Sequence, residues 1–186
     1  MDSAYWIDGY AITSVEGMIA DADKAMPQTL KYEADHQFFM AALEEVDLIA
    51  HGRHSHEGHP RSHLRRRFWM TRTVAALQPM PDEPRQWLWN PAGIGLDDAC
   101  RKIGLDSGVI AVLGGTAAYD MFLDRYRAFN LCRAGQTHIP GGTPVFSEMR
   151  AGLSAPQVLS RHGLAAEPAR VLDAANDVAL ARWVRR

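Results

Sequence analysis

Two glycine-bearing stretches have the composition to hold an anion. Residues 109–113, Val-Ile-Ala-Val-Leu, form an unbroken apolar run that leads straight into Gly114-Gly115-Thr116. Such a run suits a strand buried on both faces of a parallel sheet. Glycines at its end allow backbone angles, and a closeness of approach, that a side chain forbids. Thr116 is placed to cap a helix over residues 117–127, with Tyr119, Phe122, Leu123 and Tyr126 at helical spacing. N–H groups at a helix start, backed by the helix dipole, attract phosphate. Residues 46–50, Val-Asp-Leu-Ile-Ala, repeat the arrangement and run through His51 into Gly52-Arg53-His54-Ser55. Gly114-Gly115 alone fits a plain strand–helix turn equally well. A second glycine turn at another strand end predicts two turns facing one elongated anionic ligand.

Other groups could act as acids or ligands. Glu33 and Asp35 lie near the start of a helix expected over residues 31–42, where negative charge complements the dipole. Asp35 stands four residues before Phe39 and shares its face, whereas Glu33 and Asp35 point about 200° apart. His51, His54, His56, His59 and His63 crowd a short stretch. Gly58 and Pro60 break any helix that would align the last three, and no carboxylate or thiol pattern completes a shell. No metal site is therefore expected.

The elements that must position these groups alternate. Strands are expected at residues 10–15, 18–20, 46–50, 68–71, 86–89, 109–113, 128–133 and 178–184, with helices at 31–42, 96–103, 117–127 and 155–161. This argues an α/β fold with a mostly parallel central sheet flanked by helices and an antiparallel last strand. The 186 residues, 47% of them hydrophobic, suit one domain spanning 1–186 with a sizeable core. A formal charge of -2 gives no pull toward nucleic acid or an anionic membrane. No run of about 18 apolar residues predicts a membrane span, and the acidic N-terminus does not read as a signal peptide. Cys100 and Cys132 lie far apart and match no metal spacing. They fit reduced thiols in a cytoplasmic protein, with one disulfide as the alternative.

Taken in order, these motifs resemble the dihydrofolate reductase superfamily. "GRHSHE" at 52–57 is similar to its Gly-Arg-His-Thr-Trp-Glu signature, and "GGTAAYDMFL" at 114–123 to its Gly-Gly-Gly-x-x-Tyr-x-x-Phe-Leu segment. "MPQTLKYEADHQFF" at 26–39 resembles its Met-Pro loop and following helix, "GLDDACRKIG" the helix before the Gly-Gly strand, and "LARWVRR" the last strand. "SVEGMIA" at 14–20 leans toward the reductase domain of bifunctional riboflavin-biosynthesis proteins, whose first strand runs into Ser-x-Asp-Gly.

The resemblance implies a reductase that takes NADPH and passes hydride to a C=N bond of a pterin-like heterocycle. Two alternatives stand: a 5-amino-6-(5-phosphoribosylamino)uracil reductase, or a nucleotide-binding protein without catalysis. Arg53, His54, Thr71 and Arg72 would meet the 2′-phosphate of NADPH. Gly52 and Ser55 would contact the pyrophosphate from one side, and Leu113, Gly114, Gly115, Thr116, Ala117, Ala118 and Tyr119 from the other, with the Gly-Gly peptide cis. Ala11, Ile12 and Ile19 would lie at the nicotinamide end. Asp35 would be the catalytic carboxylate, with Glu33 as its competitor, and Phe39 and Arg65 would complete the substrate contacts. Gln28 and Arg133 depart from the pattern, standing where a tryptophan and a small hydroxyl residue are usual. The implied partner is a small heterocycle; a homodimer is compatible with the resemblance.

Overall fold

The structure is a computed structural model that describes residues 4–53, 55 and 61–186. Twelve strands are β1 (Tyr5–Thr13), β2 (Met18–Ala20), β3 (Leu48–Gly52), β4 (Arg67–Met70), β5 (Leu77–Met80), β6 (Glu83–Trp89), β7 (Gly108–Val112), β8 (Tyr126–Ala134), β9 (Thr143–Pro144), β10 (Leu164–Ala166), β11 (Arg170–Asp173) and β12 (Val178–Arg185). The helices are α1 (Glu33–Leu43), α2 (Leu96–Lys102), α3 (Thr116–Met121) and α4 (Ala155–Arg161).

Ten strands form one sheet in the order β10-β12-β8-β1-β7-β3-β4-β6-β5, with β11 also paired to β12. The centre is parallel: β1 pairs with β7 and β8, β3 with β7 and β4, and β4 with β6. As expected, the last strand, β12, runs antiparallel to β8. The outer strands β5, β10 and β11 are antiparallel to their neighbours. Ile7, Ile110, Val112 and Phe129 bury one sheet face against α2, α3 and α4. The other face packs on α1: Ile12, Cys132 and Leu180 against Phe38, and Ala111 and Leu113 against Phe39 and Met40. Among the described residues, no helix is long and apolar enough to cross a membrane. Cys100 and Cys132 are both free and buried.

Three expectations change. The first strand begins at Tyr5, not at residue 10, although Asp8 interrupts its apolar pattern. Asp8 is buried because Arg127 grips both its carboxylate oxygens, Nε lying 3.0 Å from Oδ1. The helix after Gly115 stops at Met121, six residues short of the expected end. Tyr126, which fitted the helical spacing, opens β8 instead; its hydroxyl donates back to the Tyr119 carbonyl at 3.1 Å. Thr116 does not cap α3. Gly115 takes the N-cap position, and the Thr116 hydroxyl donates to the Pro144 carbonyl at 2.5 Å. That bond fastens α3 to the segment carrying β9.

A histidine fastens the far end of the sheet. His162, just past α4, has Nδ1 2.6 Å from Asp124 Oδ1 and Nε2 2.6 Å from Glu148 Oε1. Burial pulls its pKa down, but the two carboxylates outweigh this and leave it raised above 6.5. A raised histidine contributes stability that is full below the unfolded pKa and is lost as pH rises through the folded one. The unfolding free energy should therefore decline from about pH 6.5 upward. In His162→Ala that decline should be flattened, as measured by urea titrations across the range.

Candidate functional site

The carboxyl ends of β3 and β7 touch. The Gly52 amide donates to the Gly114 carbonyl at 2.6 Å, and the Leu113 amide to the Ala50 carbonyl at 3.0 Å. The Gly114-Gly115 peptide is cis. The two glycines differ. Gly114 has φ +96°, and a Cβ there would lie 2.8 Å from the Tyr119 ring. On Gly115 a Cβ would meet, among the described residues, only Ser55 Oγ, at 3.7 Å. A Cβ on Gly52 would sit 3.4 Å from the Gly115 nitrogen. Bare backbone from Gly52, Gly114 and Gly115 thus forms a cradle between two strand ends, with Ser55 at its rim and the start of α3 beside it.

The exposed side chains of Arg53 and Arg72 follow the ends of neighbouring strands, because Gly52 on β3 pairs with Met70 on β4. Thr71 bonds Thr73 through their hydroxyls at 2.9 Å. Ala11 and Ile12 lie on β1 and Ile19 on β2. His54, His56 and His59 lie outside the described residues. His51 is buried, with Nδ1 2.7 Å from the Gly52 carbonyl and its ring against Trp69.

On the acid side, α1 separates the two candidate carboxylates. Glu33 is exposed and accepts from Gln37 Nε2 at 2.9 Å. Asp35 is half-buried and lies within electrostatic reach of the Cys132 thiol on β8. Burial raises the Asp35 pKa; the thiol and the nearby His36 offset this only in part. Burial, and then the Asp35 charge, push the thiol well up. The Asp35 charge also acts on Tyr119, a buried phenol that donates to the Tyr10 carbonyl at 2.5 Å. Phe39 packs on Leu113 and edge-on to Tyr10, with ring centroids 6.2 Å apart. Asp35 and Phe39 are therefore joined to the Gly-Gly turn through Leu113 and Tyr119.

Arg133 stands where the resemblance puts a small hydroxyl residue in support of the carboxylate. Arg133 does not face the carboxylate: it is exposed, 3.8 Å from Asp177, and Cys132 turns inward instead. A step of one residue along a strand reverses the face. Alternation along β8 was the available signal. Nothing in the sequence marked the Tyr10 carbonyl as the acceptor for Tyr119.

Arg65 is not brought to this cluster. Its Nη2 lies 2.6 Å from Glu44 Oε1, at the far end of α1. Nine residues of helix set Glu44 roughly 13 Å from Asp35.

This architecture is the dihydrofolate reductase-like fold, a parallel-centred sheet with its glycine cradle at the strand carboxyl ends. A riboflavin biosynthesis protein from Shewanella sp. PV-4 superposes with a TM-score of 0.65 at 19% identity, over 97% of this chain and 99% of that one. A deaminase/5-amino-6-(5-phosphoribosylamino)uracil reductase from Thermotoga maritima gives 0.64 at 13% identity, over 97% of this chain and 56% of that one. Dihydrofolate reductase from Enterococcus faecalis, complexed with NADP(H), gives 0.56 at 11% identity, over 97% and 96%. No protein-family model matches the chain, and no curated protein matches its sequence.

Proposed function

We propose that the protein is an NADPH-dependent reductase that transfers hydride to a C=N bond of a pterin-like heterocycle. The observation that carries this reading is the placement of Asp35. It is the half-buried carboxyl of α1, one helical turn from Phe39, near the Cys132 thiol and within electrostatic reach of Tyr119, whose ring lies against Gly114.

The cradle fits a dinucleotide, because side-chain-free backbone leaves room for a pyrophosphate. Gly52, Ser55 and the segment from Leu113 through Gly114, Gly115, Thr116, Ala117 and Ala118 to Tyr119 would hold it. Arg53, Thr71 and Arg72 would engage a 2′-phosphate, and Ala11, Ile12 and Ile19 would pack at the nicotinamide end. NADPH bound there supplies the hydride. Asp35 holds a proton at the acceptor nitrogen and stabilises the cationic form of the ring. Phe39 and Tyr10 give the ring an apolar wall. Two free, buried thiols suit a reducing, cytoplasmic setting.

A second reading is an aminopyrimidine reductase of the riboflavin type, supported by the fold shared with the Shewanella riboflavin biosynthesis protein and the Thermotoga deaminase/reductase. Loss of NADPH absorbance with dihydrofolate, tail-less dihydropterins and ribosylated aminopyrimidines tests both. Turnover of a dihydropterin supports the first reading; turnover of aminopyrimidines alone supports the second.

NADPH should bind far better than NADH. Loss of one charge-assisted bond costs about 1.5–3 kcal/mol, so Arg53→Ala should erase most of the preference. Equal affinity for the two cofactors in the parent protein, measured by fluorescence titration, would sink the assignment of Arg53.

A further inference from the structure

At the amino ends of β3 and β4, away from the glycine cradle, an open cavity of about 430 Å³ is lined by Arg61, Arg65, Arg66 and Arg85. Leu48 to Gly52 is four strand steps, so about 13 Å separates this cavity from the cradle. Two carboxylates share its lining, Glu44 and Asp47, and both are engaged. Asp47 Oδ2 accepts the Val109 amide at 2.8 Å. Glu44 reaches Arg65 at 2.6 Å and Arg61 at 4.0 Å.

The other two arginines lie at the start of the β4–β6 pairing. Arg67 on β4 pairs in register with Gln86 on β6; Arg66 and Arg85 each precede a member of that pair by one residue, and both line the cavity. The Arg66 backbone is fixed by its carbonyl, which accepts the Ile49 amide at 3.0 Å. Arg85 Nη1 donates to the Leu64 carbonyl at 3.2 Å. Arg66 is half-buried as a residue, and its guanidinium meets no acceptor among the described residues. Like charges opposite one another across strands are destabilising unless something neutralises them. Two guanidinium groups lining one cavity can match the oxygens of a dianion, and Glu44 already serves the other pair.

We infer that the Arg66–Arg85 cavity is a binding site for a phosphate-type oxyanion, separate from the cofactor cradle. The anion would sit between the two guanidinium groups, over the amino ends of β4 and β6. The site does not depend on the reductase reading, because no cradle residue lines it.

Calorimetric titration of the full chain with inorganic phosphate and pyrophosphate at low ionic strength tests it. Beside any binding at the glycine cradle, one saturable pyrophosphate site that responds to Arg66 and Arg85 is expected. Arg66→Gln with Arg85→Gln should weaken it at least about tenfold, with the fold checked by circular dichroism. Arg53→Ala, at the cradle, should leave that affinity unchanged. Single variants at 66 and at 85, each weakening binding, support the site if the double variant folds poorly. Ribose 5-phosphate binding as tightly as phosphate assigns the site to a phosphate ester, and its exclusion assigns it to the free anion; both support it. Absence of saturable binding by the parent, equal affinity in the double variant, or loss of binding only in Arg53→Ala would overturn it.

Discussion

Gly115→Ala is expected to remove most NADPH binding while the chain still folds, and Gly114→Ala is expected to damage the fold itself. The residues are adjacent, but their surroundings differ. Gly115 has φ -74° and ψ -156°, which any residue adopts, and among the described residues an added methyl would meet only Ser55 Oγ at 3.7 Å. Folding should barely register it. The methyl would occupy the space a pyrophosphate needs, and overpacking of about 1–3 kcal/mol weakens binding on the order of tenfold to a hundredfold. Gly114 has φ +96°, and a methyl there would stand 2.8 to 3.0 Å from the buried Tyr119 ring. Positive φ and overpacking together should cost roughly 2–4 kcal/mol. For a chain of this size that lowers Tm by roughly 5–15 °C. Calorimetry and NADPH fluorescence on both variants separate the effects. If Gly115→Ala binds NADPH with parental affinity, the turn is structural only.

What could be read from the sequence follows from how local each signal is. The strand at β7 and its Gly-Gly turn were legible because an apolar run and two glycines are adjacent in the chain. α4 and β12 were legible for the same reason: the helical run at 155–161 and the β-like run at 178–184 are local. β5, β10 and β11 were not expected. They are three or four residues long, β5 carries Pro79, and their identity depends on a neighbouring strand rather than on their own pattern. Tyr126 misled because helical spacing among aromatic residues also arises when a short helix runs into a strand. At the site, the pairing of Asp35 with Phe39 was visible as helical spacing, but the partner of Asp35 was not. Cys132 reaches it through sheet register, and register is set by contacts far away in sequence.

Glycine turns and acid lie at the same end of the sheet because β1 runs between β7 and β8. β7 delivers the cradle, β8 delivers Cys132, and β1 supplies the Tyr10 carbonyl that holds the Tyr119 hydroxyl between them. A variant that breaks this bond without removing the ring, Tyr119→Phe, therefore separates the two halves chemically while leaving the packing in place.

The largest kinetic effect is expected at Asp35. Asp35→Asn keeps the shape and most hydrogen bonding but removes the group that holds a proton at the acceptor. The hydride step should slow by a factor on the order of 10²–10⁴, the usual range for acid–base contributions. NADPH affinity should barely change, because the nucleotide would lie on the glycine cradle. Glu33→Gln should do little, since Glu33 is exposed and engages Gln37. The pH profile adds a second readout. Burial raises the Asp35 pKa and the Cys132 thiol lowers it, so the protonated form persists above the ordinary carboxyl range and is lost as pH rises through the raised value. Cys132→Ala removes the lowering bond and should move that limb of kcat/KM to higher pH. Pre-steady-state NADPH oxidation in the three variants across pH provides the measurement. An active Asp35→Asn protein beside an inactive Glu33→Gln would reverse the assignment. If neither substitution affects any accepted substrate, the carboxylate mechanism is wrong for this protein.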